Sequence, residues 1–186
     1  TVDIELQQAE RLFEGLAERR FDLAILSDAP RRRGFETRLL AGERLALTAV
    51  IGHDLLQQEQ VPVGVLRDYP LALPRVGHPL RRSIEDGLRR RGLSVGELRV
   101  VCETDSPLLL RAAVEAGQAL AFLPVSVLPT RLDRLGVVAL AGQPLVQEWY
   151  LIRLRERTTA RIVDLLVECL LGEEARSTLL RLGLSA

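Results

Sequence analysis

Apolar positions change rhythm repeatedly along the first fifty residues. Val2, Ile4 and Leu6 alternate with Asp3 and Glu5, the period of a half-buried strand, and Ala9, Leu12, Phe13, Leu16 and Ala17 then follow at helical spacing. The run Phe21 to Leu26 is too short for a helix and is ended by Ser27, Asp28, Ala29 and Pro30, so it reads as a buried parallel strand. Together these segments predict a βαβ unit. Arg31 to Gly34 reads as a solvated polar loop. Two extended segments, 36–41 and 44–51, are expected on either side of a hinge at Gly42, and they end at His53.

The alternation continues to the C-terminus. Val61 to Tyr69 reads as a short helix opened by Pro62, and Leu71 to Pro74 as a brief strand that Pro74 cannot extend, because proline lacks the ladder N–H. Pro79 suits a first helical turn, and Leu80, Ile84 and Leu88 mark an apolar stripe that stops at Gly92. Leu98 to Cys102 predicts a strand, Ser106 with Pro107 opens a helix through Leu110, Val114 and Gly117, and Ala119 to Leu123 is again a short buried strand. Pro124 and Pro129 bracket a helical turn. Val137 to Leu140 and Trp149 to Leu154 read as strands, and helices over 158–171 and 173–182 close the chain.

Strands alternating with helices imply an α/β fold with a parallel, helix-covered sheet, whose ligands sit beyond the carboxyl ends of the strands. The corners that follow strand ends are Ser27 to Pro30, Pro74 to Pro79, Glu103 to Ser106 and Pro124 to Ser126. At Pro74-Arg75-Val76-Gly77-His78-Pro79 a strand meets a helix N-terminus, whose unpaired N–H groups and positive dipole end favour an anion. Arg75 could grip a carboxylate in two-pronged fashion, and Gly77 would let the backbone come close. An ordinary strand-to-helix turn with an exposed arginine accounts for the same residues. Thr104, Asp105 and Ser106 form a second polar corner, although capping alone would explain Ser106.

Charge and composition narrow the reading. The 25 arginines balance 25 acidic residues, whereas a phosphate-gripping surface usually needs a basic excess, so this chain by itself is not expected to hold DNA. No apolar stretch approaches the roughly 18 to 20 residues of a membrane span. The N-terminus lacks the order of a signal peptide, and a cytoplasmic protein without membrane partners is expected. The chain begins without Met, which suggests part of a longer polypeptide. Cys102 and Cys169 lie far apart with no CxxC, so neither a disulfide nor a metal site is expected. The two histidines have no local catalytic or ligating partner, and no phosphate-binding glycine loop is present. No enzyme activity and no cofactor are therefore expected.

Read in order, Phe21-Asp22-Leu23-Ala24-Ile25, Asp68-Tyr69-Pro70-Leu71, Ala116 through Pro124, and Trp149-Tyr150-Leu151-Ile152, with the helix that begins at His78-Pro79-Leu80, resemble the effector-binding domain of LysR-type transcriptional regulators over nearly the whole chain. The resemblance implies two Rossmann-like lobes joined by two crossover strands, like the type 2 periplasmic binding proteins. Lobe one would hold residues 1–70 and 148–186, and lobe two residues 71–147. The family's domain begins with one more strand and helix, so the first strand and helix of lobe one are expected in the parent polypeptide and not in this chain.

The same resemblance implies a small-molecule effector in the cleft between lobes, near Arg75, Gly77, His78, Thr104, Asp105, Ser106 and Ser126; Ser27, at another strand-end corner, is a further candidate, and Arg75 with the helix N-termini favours a carboxylate or other anion. It implies dimers or tetramers built through the helix near Leu12 to Arg20 and the helix beginning near Arg81. Promoter DNA would be held only by an N-terminal winged helix-turn-helix outside this chain. A solute-binding receptor of the same fold is the alternative. The low aromatic content, 4%, argues mildly against a large flat aromatic effector.

Overall fold

The computed structural model describes residues 2–27, 32–129, 131–155, 161–181 and 184–185. The strands are β1 (Ala24–Leu26), β2 (Phe35–Val50), β3 (Pro70–Leu73), β4 (Arg99–Glu103), β5 (Leu120–Pro124), β6 (Leu135–Val137), β7 (Leu145–Leu154) and β8 (Leu184–Ser185). The helices are α1 (Ala9–Ala17), α2 (Pro79–Arg89), α3 (Pro107–Glu115), α4 (Arg161–Leu171) and α5 (Glu173–Arg181), with short 3-10 turns between them.

Two compact units share the chain. The first is Thr1–Gly42 with Glu148–Arg181 and Ser185–Ala186, and the second is Glu43–Gln147 with Leu182–Leu184. β2 and β7 each run from one unit into the other. Residues 43–70, assigned above to lobe one, fall in the second unit, because Leu45 to Thr48 on β2 pair with Pro124 to Ala121 on β5.

In the second unit the strand order is β2, β5, β3, β4. β5, β3 and β4 are parallel, β2 runs antiparallel to β5, and β6 pairs antiparallel with β2. The parallel, helix-covered sheet that was expected is present in β5, β3 and β4, and β2, which passes between the two units, adds an antiparallel neighbour to it. Successive residues of a strand point to opposite faces, which sorts the core into two layers. Leu71, Leu73, Leu120 and Phe122 pack on one face with the α2 stripe Leu80, Ile84 and Leu88. Ala72, Ala121 and Leu123 pack on the other with Leu110 and Val114 of α3. Every residue of β5 is buried because both its faces are covered.

The first unit holds a smaller core of Phe13, Leu16, Ala24 and Ile152, with Phe13 and Phe35 edge-to-face at 5.1 Å. Arg153 ties three elements together there: it donates to Glu36 at 2.6 Å and to Asp164 at 3.2 Å. Arg32, expected in a solvated loop, grips Glu10 and lies 4.4 Å over the Phe13 ring.

Several sequence expectations need correction. Val2 to Leu6 forms no strand, and Ile4 and Leu6 are 84% and 97% exposed. Alternation alone does not make a strand, since the backbone N–H and C=O groups need a neighbouring ladder. β1 is not parallel: it pairs antiparallel with β7, Ala24 opposite Ile152. Gly42 is not a break between strands, because β2 passes through it unbroken. The helix expected at Val61 to Tyr69 is a 3-10 turn over Val63–Asp68, and the strand expected at Val137 to Leu140 lies earlier, at Leu135–Val137. Asp28 to Arg31 lie outside the described residues.

Candidate functional site

Because β3, β4 and β5 are parallel, their carboxyl ends lie along one edge of the second unit, and seven of the eight residues singled out above follow those ends. The eighth, Ser27, is half-buried just after β1 and belongs to the first unit.

After β3, Gly77 turns the chain at φ +90°, a left-handed conformation that glycine adopts without strain. His78 is the N-cap of α2, its Nδ1 accepting the Leu80 N–H at 3.2 Å, and Pro79 occupies the first turn. The Arg75 side chain is 68% exposed and pairs loosely with Asp105, 3.8 Å from guanidinium to carboxylate. Asp105 also accepts the Arg75 backbone N–H at 3.2 Å. An exposed pair of this kind contributes little to stability. Arg75 therefore keeps donors for a ligand, but an arriving anion must share it with Asp105.

After β4, Thr104 donates its backbone N–H to Leu73, and its hydroxyl oxygen accepts the Ser106 N–H at 3.3 Å. Ser106 caps α3, its Oγ accepting the Leu109 N–H at 3.4 Å. The resemblance and the capping rule thus point at one residue, and capping is the role visible here. After β5, Ser126 is exposed, yet its N–H and its hydroxyl both donate to Glu43 Oε1, at 3.1 and 2.5 Å. Glu43 itself is only 3% exposed.

Two residues that organise this edge were missed in the sequence. Glu43 and the exposed Arg44 together interrupt the apolar stretch Leu39 to Val50 of β2, a signal that could have marked the pair. In the sequence Arg81 figures only as the start of a helix implied in self-association, with no part in the ligand corners. It is buried, and donates to Pro74 O at 2.8 Å, Glu103 at 2.9 Å and Glu85 at 2.7 Å, fastening the β3 corner to the end of β4.

A separate polar cluster lies at the opposite end of β3. The Tyr69 hydroxyl donates to Asp54 at 2.6 Å, and His53 Nδ1 lies 2.8 Å from the other oxygen of that carboxylate. The Tyr69 hydrogen bond holds the Asp54 carboxyl below its ordinary value, and the same bond raises the Tyr69 phenol above its own. A cavity of about 500 Å³ lies wholly in the first unit, between Val2–Glu5, Phe21–Leu23 and α4, and contains none of the eight residues. Among the described residues no cluster of three or more His, Cys, Asp or Glu side chains could hold a metal ion.

An edge of parallel strand ends carrying two capped helix starts, in a chain whose strands β2 and β7 each run from one compact unit into the other, defines a class of ligand-binding domain. The chain belongs to the LysR substrate binding domain family, whose model matches residues 1–175. Among curated relatives it is 27% identical to the RuBisCO operon transcriptional regulator of Acidithiobacillus ferrooxidans, over 90% of this chain and 56% of the relative. It is also 27% identical to the HTH-type transcriptional regulator CbbR of Cereibacter sphaeroides, over 81% of this chain and 49% of the relative. The chain thus spans about half the length of these relatives. Its fold is that of the CcmR regulatory domain of Synechocystis PCC6803 in complex with 2-PG, with a TM-score of 0.77, 18% identity, and coverage of 92% of this chain and 82% of that one.

Proposed function

We propose that this chain is the effector-sensing and self-association part of a bacterial LysR-type transcription regulator, and that it binds a small anion at the carboxyl edge of the second unit without transforming it. In this reading the regulator works in the cytoplasm as a dimer or tetramer. Promoter DNA is held by an N-terminal winged helix-turn-helix, and occupancy of the sensing site shifts the oligomer between two DNA-bound arrangements. Family membership supports sensing. The balanced charge supports leaving DNA contact to another segment.

The observation that carries the anion is the convergence of the α2 and α3 N-termini with Arg75 along one sheet edge. N-terminal N–H groups and a guanidinium together supply charge-assisted donors for a carboxylate or phosphate.

Thermal unfolding of this chain with and without 2-PG and a panel of small carboxylates tests the reading. A ligand at about a hundred times its Kd adds about 2.7 kcal/mol, a shift of several degrees. At least one acid is expected to raise Tm, and Arg75→Ala to remove most of the rise. A panel without effect, or an undiminished response in Arg75→Ala, would overturn the site. Light scattering is expected to give a mass above the 20.7 kDa of one chain.

A further inference from the structure

The hydroxyls along the proposed sensing edge do not have the same hydrogen-bonding polarity. Thr104 and Ser106 each accept a backbone N–H through the side-chain oxygen, so each keeps its own proton to give away. Ser126 is the reverse. Its N–H and its hydroxyl proton both go to Glu43, a carboxylate buried to 3% exposure on β2, while Ser126 itself is exposed. A hydroxyl that has given its proton to a carboxylate can only accept from a further partner. The β5 corner therefore opposes an anion, whereas the β4 corner offers two hydroxyl donors, with the Asp105 carboxylate between them set against the Arg75 guanidinium. The two corners flank β3, so they stand two strand spacings apart, roughly 10 Å.

Resting on the site proposed above, we infer that the effector is bifunctional: an anionic group toward Arg75, Thr104 and Ser106, and a hydrogen-bond donor, a hydroxyl or ammonium, against Ser126 Oγ. Glu43 is the positioning residue. It touches no ligand and acts by fixing the Ser126 proton inward. An acid with an alkyl or ether group at the donor position would forgo the hydrogen bond to Ser126 Oγ and bind more weakly by that bond's net worth.

Calorimetric titration of this chain with propionate, 3-hydroxypropionate, 3-aminopropionate and 3-methoxypropionate tests the inference, since these share a carboxylate and a three-carbon skeleton, differ at the third carbon, and with a hydrogen bond at each end match a gap of roughly 10 Å. The 3-hydroxy and 3-amino acids are expected to bind about tenfold more tightly than propionate or the ether. Ser126→Ala, at an exposed turn, should bring the four to within about twofold, because the acceptor that distinguishes them is gone. Glu43→Gln should reduce the preference by weakening the hold on the Ser126 proton. Equal binding of all four acids, or a preference that survives Ser126→Ala, overturns the bifunctional effector and leaves the site in place, provided Arg75→Ala still weakens binding. Binding of none of the four, or binding indifferent to Arg75→Ala, removes the site and the inference with it.

Discussion

Arg81 Nη1 lies 2.8 Å from the carbonyl oxygen of Pro74, at the base of the loop that carries Arg75 and Gly77. The guanidinium is buried, and its other donors meet Glu85 and Glu103, so a side chain on α2 links the end of β3 to the end of β4. Both carboxylates are more exposed than Arg81, at 29% and 43%, so removing it strands a carbonyl and two partly solvated charges.

Arg81→Met is accordingly expected to destabilise the second unit by about 2 kcal/mol, below the ~3–5 kcal/mol of a fully buried broken pair because solvent screens the two acids. Urea unfolding would measure it. Arg81→Lys keeps the charge but loses the planar fork, and should recover less than half of the loss. A change under 0.5 kcal/mol for Arg81→Met would show that the loop is held by other means.

Gly87 on α2 has no room for a side chain, because an added Cβ would lie 2.5 Å from Leu145 Cγ. Helix propensity favours alanine over glycine by about 1 kcal/mol, while overpacking costs about 1–3 kcal/mol. Gly87→Ala is therefore expected to be neutral to destabilising by about 2 kcal/mol, and a Tm above the parent's would mean that Leu145 moves aside freely.

At His78 the helix-capping role and the proposed ligand-binding role can be separated. Aspartate is among the better N-cap residues, and its charge suits a helix N-terminus. His78→Asp should preserve or raise Tm without ligand and weaken binding of any responsive acid at least severalfold, because it adds a negative charge to the anion corner. Unchanged affinity would place the bound anion away from the α2 start.

The Tyr69–Asp54 bond predicts a pH signature. Asp54 is depressed in the folded chain, so its contribution is present above the ordinary value of 3.8 and is lost as pH falls through the lower folded value. Tyr69 is raised above 10.0, so its contribution is present below that and is lost as pH climbs through the folded value. The stability difference between the parent and Tyr69→Phe should be greatest at intermediate pH and shrink at both extremes. A difference constant from pH 3 to 11 would show that the bond does not couple to folding.

Local order was largely legible in the chain. The stripe Leu80, Ile84, Leu88 became α2 and packs as its spacing implied, and Pro79 and Pro107 stand in the first turns of α2 and α3. The three corners after β3, β4 and β5 were likewise found at the ends of strands that do lie parallel. What failed were statements that depend on a distant partner. Val2, Ile4 and Leu6 alternate correctly but meet no ladder, and β1 was given the wrong direction because its neighbour, β7, lies more than a hundred residues away in the chain.

Periodicity, proline and capping residues act within a few residues, so the sequence by itself determined the helices, most short strands, the α/β class and the corners where a ligand could dock. Tertiary structure decided strand direction, the unbroken course of β2 through Gly42, and the burial of Glu43 and Arg81. Each of those depends on hydrogen bonds between residues far apart in the chain: Glu43 reaches Ser126, and Arg81 reaches Glu103. A charged side chain reads as solvent-facing until the fold supplies the partner that allows it to be buried.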